Sequence, residues 1–221
     1  MLSNLHQKIK RIVRRSVMGG QSGFSSPEYW NERYKNNGNS GAGSYKHLAG
    51  FKANVLNSFI KDHGVQSVIE FGCGDGNQLL LADYPKYVGF DVSPKSIQIC
   101  KDLFKGDPSK SFYLSPPDRE IKADLSMSLD VIYHLVEDEV FNAYMLTLFA
   151  SATQWVIIYS SNTNENHPDQ SIHVKHRKFS DWIDSSRLNY QLHEHIPNEF
   201  PMSQLGENGS FADFFIYKRK I

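Results

Sequence analysis

At 221 residues, with 40% hydrophobic and 13% aromatic side chains, the chain is long enough to bury a core and too apolar to be disordered. Lysine plus arginine and aspartate plus glutamate each number 24, so a formal net charge of zero gives no global pull toward nucleic acid. Two cysteines, Cys73 and Cys100, are too few for a disulfide framework and lack metal-ligand spacing, and no apolar run reaches the roughly 20 residues of a membrane-crossing helix; a reducing, cytoplasmic setting without a signal peptide is expected.

Residues 1–25 read as a basic amphipathic arm. Lys8, Lys10, Arg11, Arg14 and Arg15 come without an acid, and Leu2, Leu5, Ile9, Ile12, Val13 and Val17 recur at helical spacing. Weak contact with a membrane surface or a protein through residues 1–18 is one reading; packing on its own domain is the other. Met18 to Gly23 reads as a linker. The rest, 26–221, reads as one domain, with a helical lid over 26–63 and a sheet core over 64–221.

Ser26-Pro27-Glu28 predicts a helix start: hydroxyl cap, proline in the first turn, then an acid. Asn36 to Ser44 breaks that helix, and Tyr45 to Lys61 carries Leu48, Phe51, Val55, Leu56, Phe59 and Ile60 on one apolar side. From Ser67 onward strands alternate with helices. Strands are expected at 67–71, 86–91, 111–114, 123–129, 154–160, 190–195 and 211–217. Helices are expected at 77–83, 93–104, 133–150 and 178–185. This alternation implies βαβ units and a mostly parallel, seven-stranded α/β sheet.

A parallel sheet binds ligands beyond the carboxyl ends of its strands. There the first strand runs into Gly72, Gly74 and Gly76, which allow tight turns and close backbone approach. The second strand ends in Asp91, an acceptor for ribose hydroxyls. A dinucleotide fingerprint would place its third glycine at position 77, which is Asn77. Glu70, just inside the strand, is awkward beside a pyrophosphate and suits a cation such as the sulfonium and ammonium of S-adenosylmethionine.

These residues carry a resemblance. Val68-Ile69-Glu70-Phe71-Gly72-Cys73-Gly74-Asp75-Gly76 resembles motif I of class I S-adenosylmethionine-dependent methyltransferases. Residues 87–93 (YVGFDVS) resemble motif II, and residues 123–135 resemble the segment around strand four. The resemblance covers about residues 50–160 and implies a Rossmann-like fold whose final strand inserts beside the sixth. It implies that Glu70, Gly72, Cys73, Gly74 and Gly76 border the methionine part of the cofactor. Asp91 would take the ribose, Val92 and Ser93 would sit beside the adenine, and Asp118 would accept from the adenine amino group. Asp130 would face the methyl. Asp118 also reads as a solvated loop acid, since Pro116-Pro117 distorts the local pattern.

Methyl transfer to a hydroxyl needs alignment and a base near the proton. His134 lies four residues after Asp130 and has an intrinsic pKa suited to the role; packing under the sheet edge is its other reading. The segment after the fifth strand is rich in polar residues and histidines. His173 and His176, with Lys175 and Arg177, are candidates to hold an acceptor, and His173 is the second candidate catalytic residue. A metal held by Glu137, Asp138 and these histidines lacks a convincing spacing, so none is expected. Tyr29, Arg33 and Tyr45 are candidates to meet the cofactor carboxylate or the acceptor, whereas Trp30 and Tyr34 read as core contacts.

The expected activity is methyl transfer to an oxygen of a small hydroxylated acceptor such as a sugar or glycan precursor, without nucleic acid as partner. A nicotinamide oxidoreductase, or a non-catalytic partner subunit keeping the fold, are the alternatives.

Overall fold

The computed structural model describes residues 24–118 and 120–220. The basic arm expected over residues 1–25 lies outside the described residues except for its last two. Seven strands form one sheet in the order β3-β2-β1-β4-β5-β7-β6. They are β1 Val68–Phe71, β2 Tyr87–Asp91, β3 Lys110–Leu114, β4 Ala123–Leu129, β5 Ala152–Ser160, β6 Tyr190–Ile196 and β7 Asp213–Arg219. The first five run parallel, and β7 lies antiparallel between β5 and β6. This is the mostly parallel sheet with an inserted final strand that the sequence pattern implies.

The strand period of two divides the core. Val68, Leu125, Met127 and Ile157 point to one face, where helix α2 (Lys46–Asp62) brings Leu56, Phe59 and Ile60 and helix α3 (Pro94–Leu103) brings Ile97 and Cys100. Ile69, Phe71, Val156 and Ile158 point to the other face. There helix α4 (Asp138–Ala150) brings Phe141, Met145 and Leu148, and helix α5 (Phe179–Ser185) brings Phe179 and Ile183. Covered on both faces, β1 is buried at all four residues, and Glu70 is its one polar side chain. No helix among the described residues is long and apolar enough to cross a membrane.

Three local expectations are corrected. Helix α1 (Ser26–Lys35) is capped by Ser25, whose hydroxyl accepts the Glu28 N–H, and not by Ser26. Ser26 is buried and turned inward to other partners. The helix expected over 77–83 is a single 3-10 turn, Gln78–Leu81. Four residues before Tyr84 and Pro85 are too few to sustain an α-helix, and Ala82 is already extended. The helices expected over 133–150 are a 3-10 turn, Ile132–His134, and α4, so the stretch right after Asp130 is not α-helical. Asp130 precedes that turn in a left-handed conformation, φ +59°, so no helical face relates it to His134.

Candidate functional site

Strand order reverses beside β1, with β2 on one side and β4 on the other. The loops leaving β1 and β4 diverge there and open a crevice at the carboxyl ends. A cavity of about 330 Å³ occupies it, at the lower end of the range for small-molecule sites.

The loop after β1 forms one wall. Gly72 N–H and Cys73 N–H both donate to the Phe90 carbonyl, at 2.7 and 3.0 Å, fixing the loop to the end of β2. Gly72 has φ +90° and Gly74 has φ +58°. A Cβ on Gly72 would lie 2.3 Å from Val131 Cγ2, and one on Gly74 would lie 2.2 Å from Ser40 Oγ. Only glycine meets both the backbone and the space at these two positions. Asp91 closes the wall: its carboxylate accepts Gly74 N–H at 3.0 Å and Ser93 N–H at 2.9 Å. Burial pushes its carboxyl up, and those N–H groups pull it back.

Glu70 and Asp130 sit on adjacent strand ends. Tyr87 donates its hydroxyl to Glu70 Oε2 at 2.6 Å. Burial nonetheless pushes the Glu70 carboxyl up to about 7, against the Tyr87 hydrogen bond and the charge of Lys52. Asp130 Oδ1 accepts the Tyr133 hydroxyl at 2.8 Å, and Oδ2 accepts Lys52 Nζ at 2.6 Å. Lys52 is only 1% exposed and also lies 5.2 Å from the centre of the Tyr159 ring. The cavity thus carries four carboxyls, Glu70, Asp91, Asp130 and Glu137, against one ammonium, Lys52. That excess of acid favours a cationic ligand at short range.

Helix α1 and the segment after it cover the cavity. Ser26 N–H donates to Glu137 Oε1 at 3.0 Å, and its hydroxyl lies 2.5 Å from Glu137 Oε2 and 2.8 Å from the His134 carbonyl oxygen. Farther along, Ser40 and Asp75 exchange two bonds of 2.9 Å, Tyr45 donates to Asp75 at 2.8 Å, and Asn77 donates to the Ser44 carbonyl at 2.6 Å. The cover is therefore bonded to the glycine loop itself. Trp30 and Tyr34, read from spacing as core contacts, line the cavity, whereas Tyr29, Arg33 and Tyr45 do not.

His134 lines the cavity from the other side. Its Nδ1 lies 2.9 Å from the His173 carbonyl oxygen, which makes Nδ1 the protonated nitrogen and leaves Nε2 the acceptor. Trp30 meets the ring edge-on at 4.8 Å, and His173 stacks on it at 5.2 Å. Burial depresses the His134 pKa to about 4, so the ring is neutral at neutral pH.

The sequence-derived site residues separate into two groups. Glu70, Gly72, Cys73, Gly74, Asp91, Val92, Asp130 and His134 line the cavity. Gly76, Ser93, Asp118 and His173 do not. Gly76 (φ +79°) is turned toward Cys100 and Phe104, and Ser93 is buried as the cap of α3. From the same loop Ser115 and Pro116 line the cavity, and Asp118 does not. His173 stacks between Tyr29, at 4.5 Å, and His134. The other acceptor candidates are engaged elsewhere: Lys175 and Arg177 pair with Asp138 at 2.7 and 2.6 Å, and His176 Nδ1 lies 2.7 Å from Ser161 Oγ. Glu137 is taken up by Ser26.

Sequence reasoning missed Lys52, Ser26 and Gln78. Lys52 left a signal: it sits four residues after Leu48 and four before Leu56, on the apolar stripe of α2. A lysine there is buried or interrupts the stripe, and burial demands a partner.

No protein-family model matches the sequence, and no curated protein matches it either. Solved structures do. The methyltransferase domain of the bacterial protein CtHen1-C is similar with a TM-score of 0.61 at 20% identity, over 77% of this chain and 98% of that one. Magnesium protoporphyrin IX methyltransferase from Synechocystis PCC 6803, with bound S-adenosylmethionine, gives 0.62 at 12% identity, over 91% of this chain and 100% of that one. The N-methyltransferase NodS from Bradyrhizobium japonicum WM9 gives 0.60 at 14% identity, over 77% and 93%. With its strand order, its inserted β7 and these similarities, the chain has the Rossmann-like fold of class I methyltransferases.

Proposed function

We propose that the chain is an S-adenosylmethionine-dependent methyltransferase acting on an oxygen of a small hydroxylated acceptor, such as a sugar or glycan precursor. One observation carries the cofactor reading. The cavity at the switch point joins a glycine wall that admits no side chain to a surplus of buried carboxyl groups. A pyrophosphate would face Glu70 and Asp130 at close range, whereas a ligand with an ammonium and a sulfonium is attracted by them. The residues fit the group. Asp91 would hold the ribose hydroxyls, Glu70 the ammonium, and Gly72 and Gly74 the chain between them. When bound, S-adenosylmethionine supplies a methyl already activated by the sulfonium.

The chain's own residues then hold the acceptor and exclude water. Trp30, Tyr34 and the loop carrying Ser40 and Ser44 act as a lid, and their bonds to Asp75 and Asn77 couple closure to the glycine loop. His134 is the proposed base: neutral at pH 7, with Nε2 ready to accept a hydroxyl proton. His173 is proposed to act through His134, holding its tautomer by a carbonyl and its plane by stacking. The similar structures include methyltransferases of magnesium protoporphyrin IX and of small RNA, so the acceptor class rests on this cavity alone. The cavity's modest volume and the whole chain's net charge of zero favour a small molecule over nucleic acid, and a cytoplasmic setting accords with two free, buried cysteines.

Calorimetry with S-adenosylmethionine, S-adenosylhomocysteine and NADH tests the cofactor: heat is expected with the first two and none with NADH. Tritiated methyl donor in a cell extract tests the acceptor. Label in small polar molecules is expected, and H134A should abolish labelling while retaining S-adenosylhomocysteine. Label confined to RNA or protein would overturn the acceptor assignment.

A further inference from the structure

Methyl transfer as proposed makes no use of the basic residues at the start of the chain. Lys8, Lys10, Arg11, Arg14 and Arg15 stand close together, and no acid precedes Glu28. Because the whole chain sums to zero, the remainder is formally negative. Laid out at about 100° per residue, the sequence puts Leu2, Leu5, Ile9, Ile12, Val13 and Val17 on one arc of a helical wheel. All five bases fall on the opposite arc, and Lys8 and Lys10 border the apolar one on either side. Bases at those borders can lay their apolar stems along a hydrocarbon surface and raise their charges to its polar rim.

A second observation comes from the described residues where that segment joins them. The Phe24 ring lies 5.8 Å from Tyr29, and Tyr29 stacks on His173. Ile172, the residue before His173, is 73% exposed. Ser160, the end of β5, pairs with Asp213, the start of the antiparallel β7. The chain after β5 and the chain before β7 therefore meet at the carboxyl edge of the sheet, the edge that holds the cavity. There Phe211 meets Tyr133 edge-on at 4.8 Å. The Met202 N–H donates to the Ser210 carbonyl at 2.9 Å, which holds a short helix, Met202–Leu205, beside Phe211. Met202, Leu205 and Phe211 are 39–44% exposed. Single exposed apolar side chains are ordinary, but several along one rim, beside the root of a basic amphipathic segment, mark a contact surface.

We propose that the chain docks on an anionic lipid surface through residues 2–17, with the rim of Ile172, Met202, Leu205 and Phe211 turned to the bilayer. Charge selects this occupant. Were the apolar arc laid on the chain's own body, the bases would face away from the negative remainder. Against an anionic bilayer the apolar arc enters the interface and the bases meet the headgroups, so both arcs are used. The remainder supplies no electrostatic attraction of its own, so binding depends on the basic segment. Docking in this pose brings the cavity's edge of the sheet to the membrane.

The test is flotation of the full chain with vesicles of phosphatidylcholine, either alone or with phosphatidylserine in one lipid of three. Binding to the mixed vesicles is expected, weakening as salt rises and at least about tenfold weaker on phosphatidylcholine alone. R11E/R14E should lower the partition by at least about 30-fold, the worth of two basic contacts. I172D/L205D, with the basic segment intact, should lower it at least about fivefold. An unchanged far-ultraviolet spectrum and thermal midpoint show that both variants are folded. Equal binding to the two vesicles, or undiminished binding by either variant, overturns the docking surface. So does a native chain that binds neither vesicle, which would assign residues 2–17 to the chain's own body. Short RNA that strips the protein from the vesicles at matched phosphate overturns the lipid assignment in favour of nucleic acid.

Discussion

Glu70 makes ligand binding pH-dependent in a direction that can be worked out. In the free protein, burial raises its carboxyl from 4.5 to about 7. Below that pH it is mostly protonated and offers a cation no charge. A bound ammonium favours the ionised form, so binding releases a proton and tightens as pH rises through 7. The ionised fraction grows from about one tenth at pH 6 to about nine tenths at pH 8. The dissociation constant for S-adenosylhomocysteine should therefore fall by roughly tenfold over that interval, about 1.4 kcal/mol. Calorimetry at pH 6, 7 and 8, in buffers of differing ionisation enthalpy, counts the proton directly. E70Q should bind weakly at every pH and release none. The sign for stability is opposite. The native state keeps a proton that the unfolded chain gives up, so the free protein loses stability as pH rises from the ordinary carboxylate range to about 7. E70Q should lack that loss. A tenfold pH effect that persists in E70Q would refute the reasoning, because the titrating group would lie elsewhere.

Three further outcomes are expected. G74A places a side chain at φ +58°, costing about 1 kcal/mol, and drives it into Ser40 Oγ, breaking the Ser40–Asp75 pair; affinity for S-adenosylhomocysteine should drop at least about tenfold, and unchanged affinity would remove the loop from the site. D91N should weaken the same ligand by about 10- to 100-fold while discriminating little against its 2′-deoxy analogue, since the lost acceptor serves the ribose. S26A leaves Glu137 and the His134 carbonyl short of a donor in a buried place, at about 1–3 kcal/mol or roughly 2–12 °C in Tm. Hydrogen exchange over residues 26–35 should quicken, and unaltered exchange would show that Ser26 does not hold the cover.

Much of the fold was legible because strand and helix periods are local. Ala123–Leu129 is the strand expected at 123–129, and Gly72, Gly74 and Asp91 stand on one wall because a single loop and the next strand carry them. Legibility failed where partners come from distant segments. Ser26 has the chemistry of a helix cap, but Glu137, 111 residues away, claims it, and Ser25 caps instead. His173 reads as a catalytic group by its position after β5, yet packing puts it outside the cavity lining, where it meets His134 through its carbonyl and by ring stacking.

The sequence by itself determined the alternating βα pattern, the glycine turn that only residues without a Cβ can make, and the acids near the ends of β1 and β2. Those depend on steric and charge requirements spanning a few residues. The tertiary structure alone decided which charges meet. Lys52 lies 78 residues from Asp130, and its ammonium reaches the cavity only because α2 packs its apolar face on the sheet and carries the lysine in with it. Burial then sets the electrostatics, raising Glu70 and lowering His134 by withdrawing water from both, an effect that no local pattern of residues encodes.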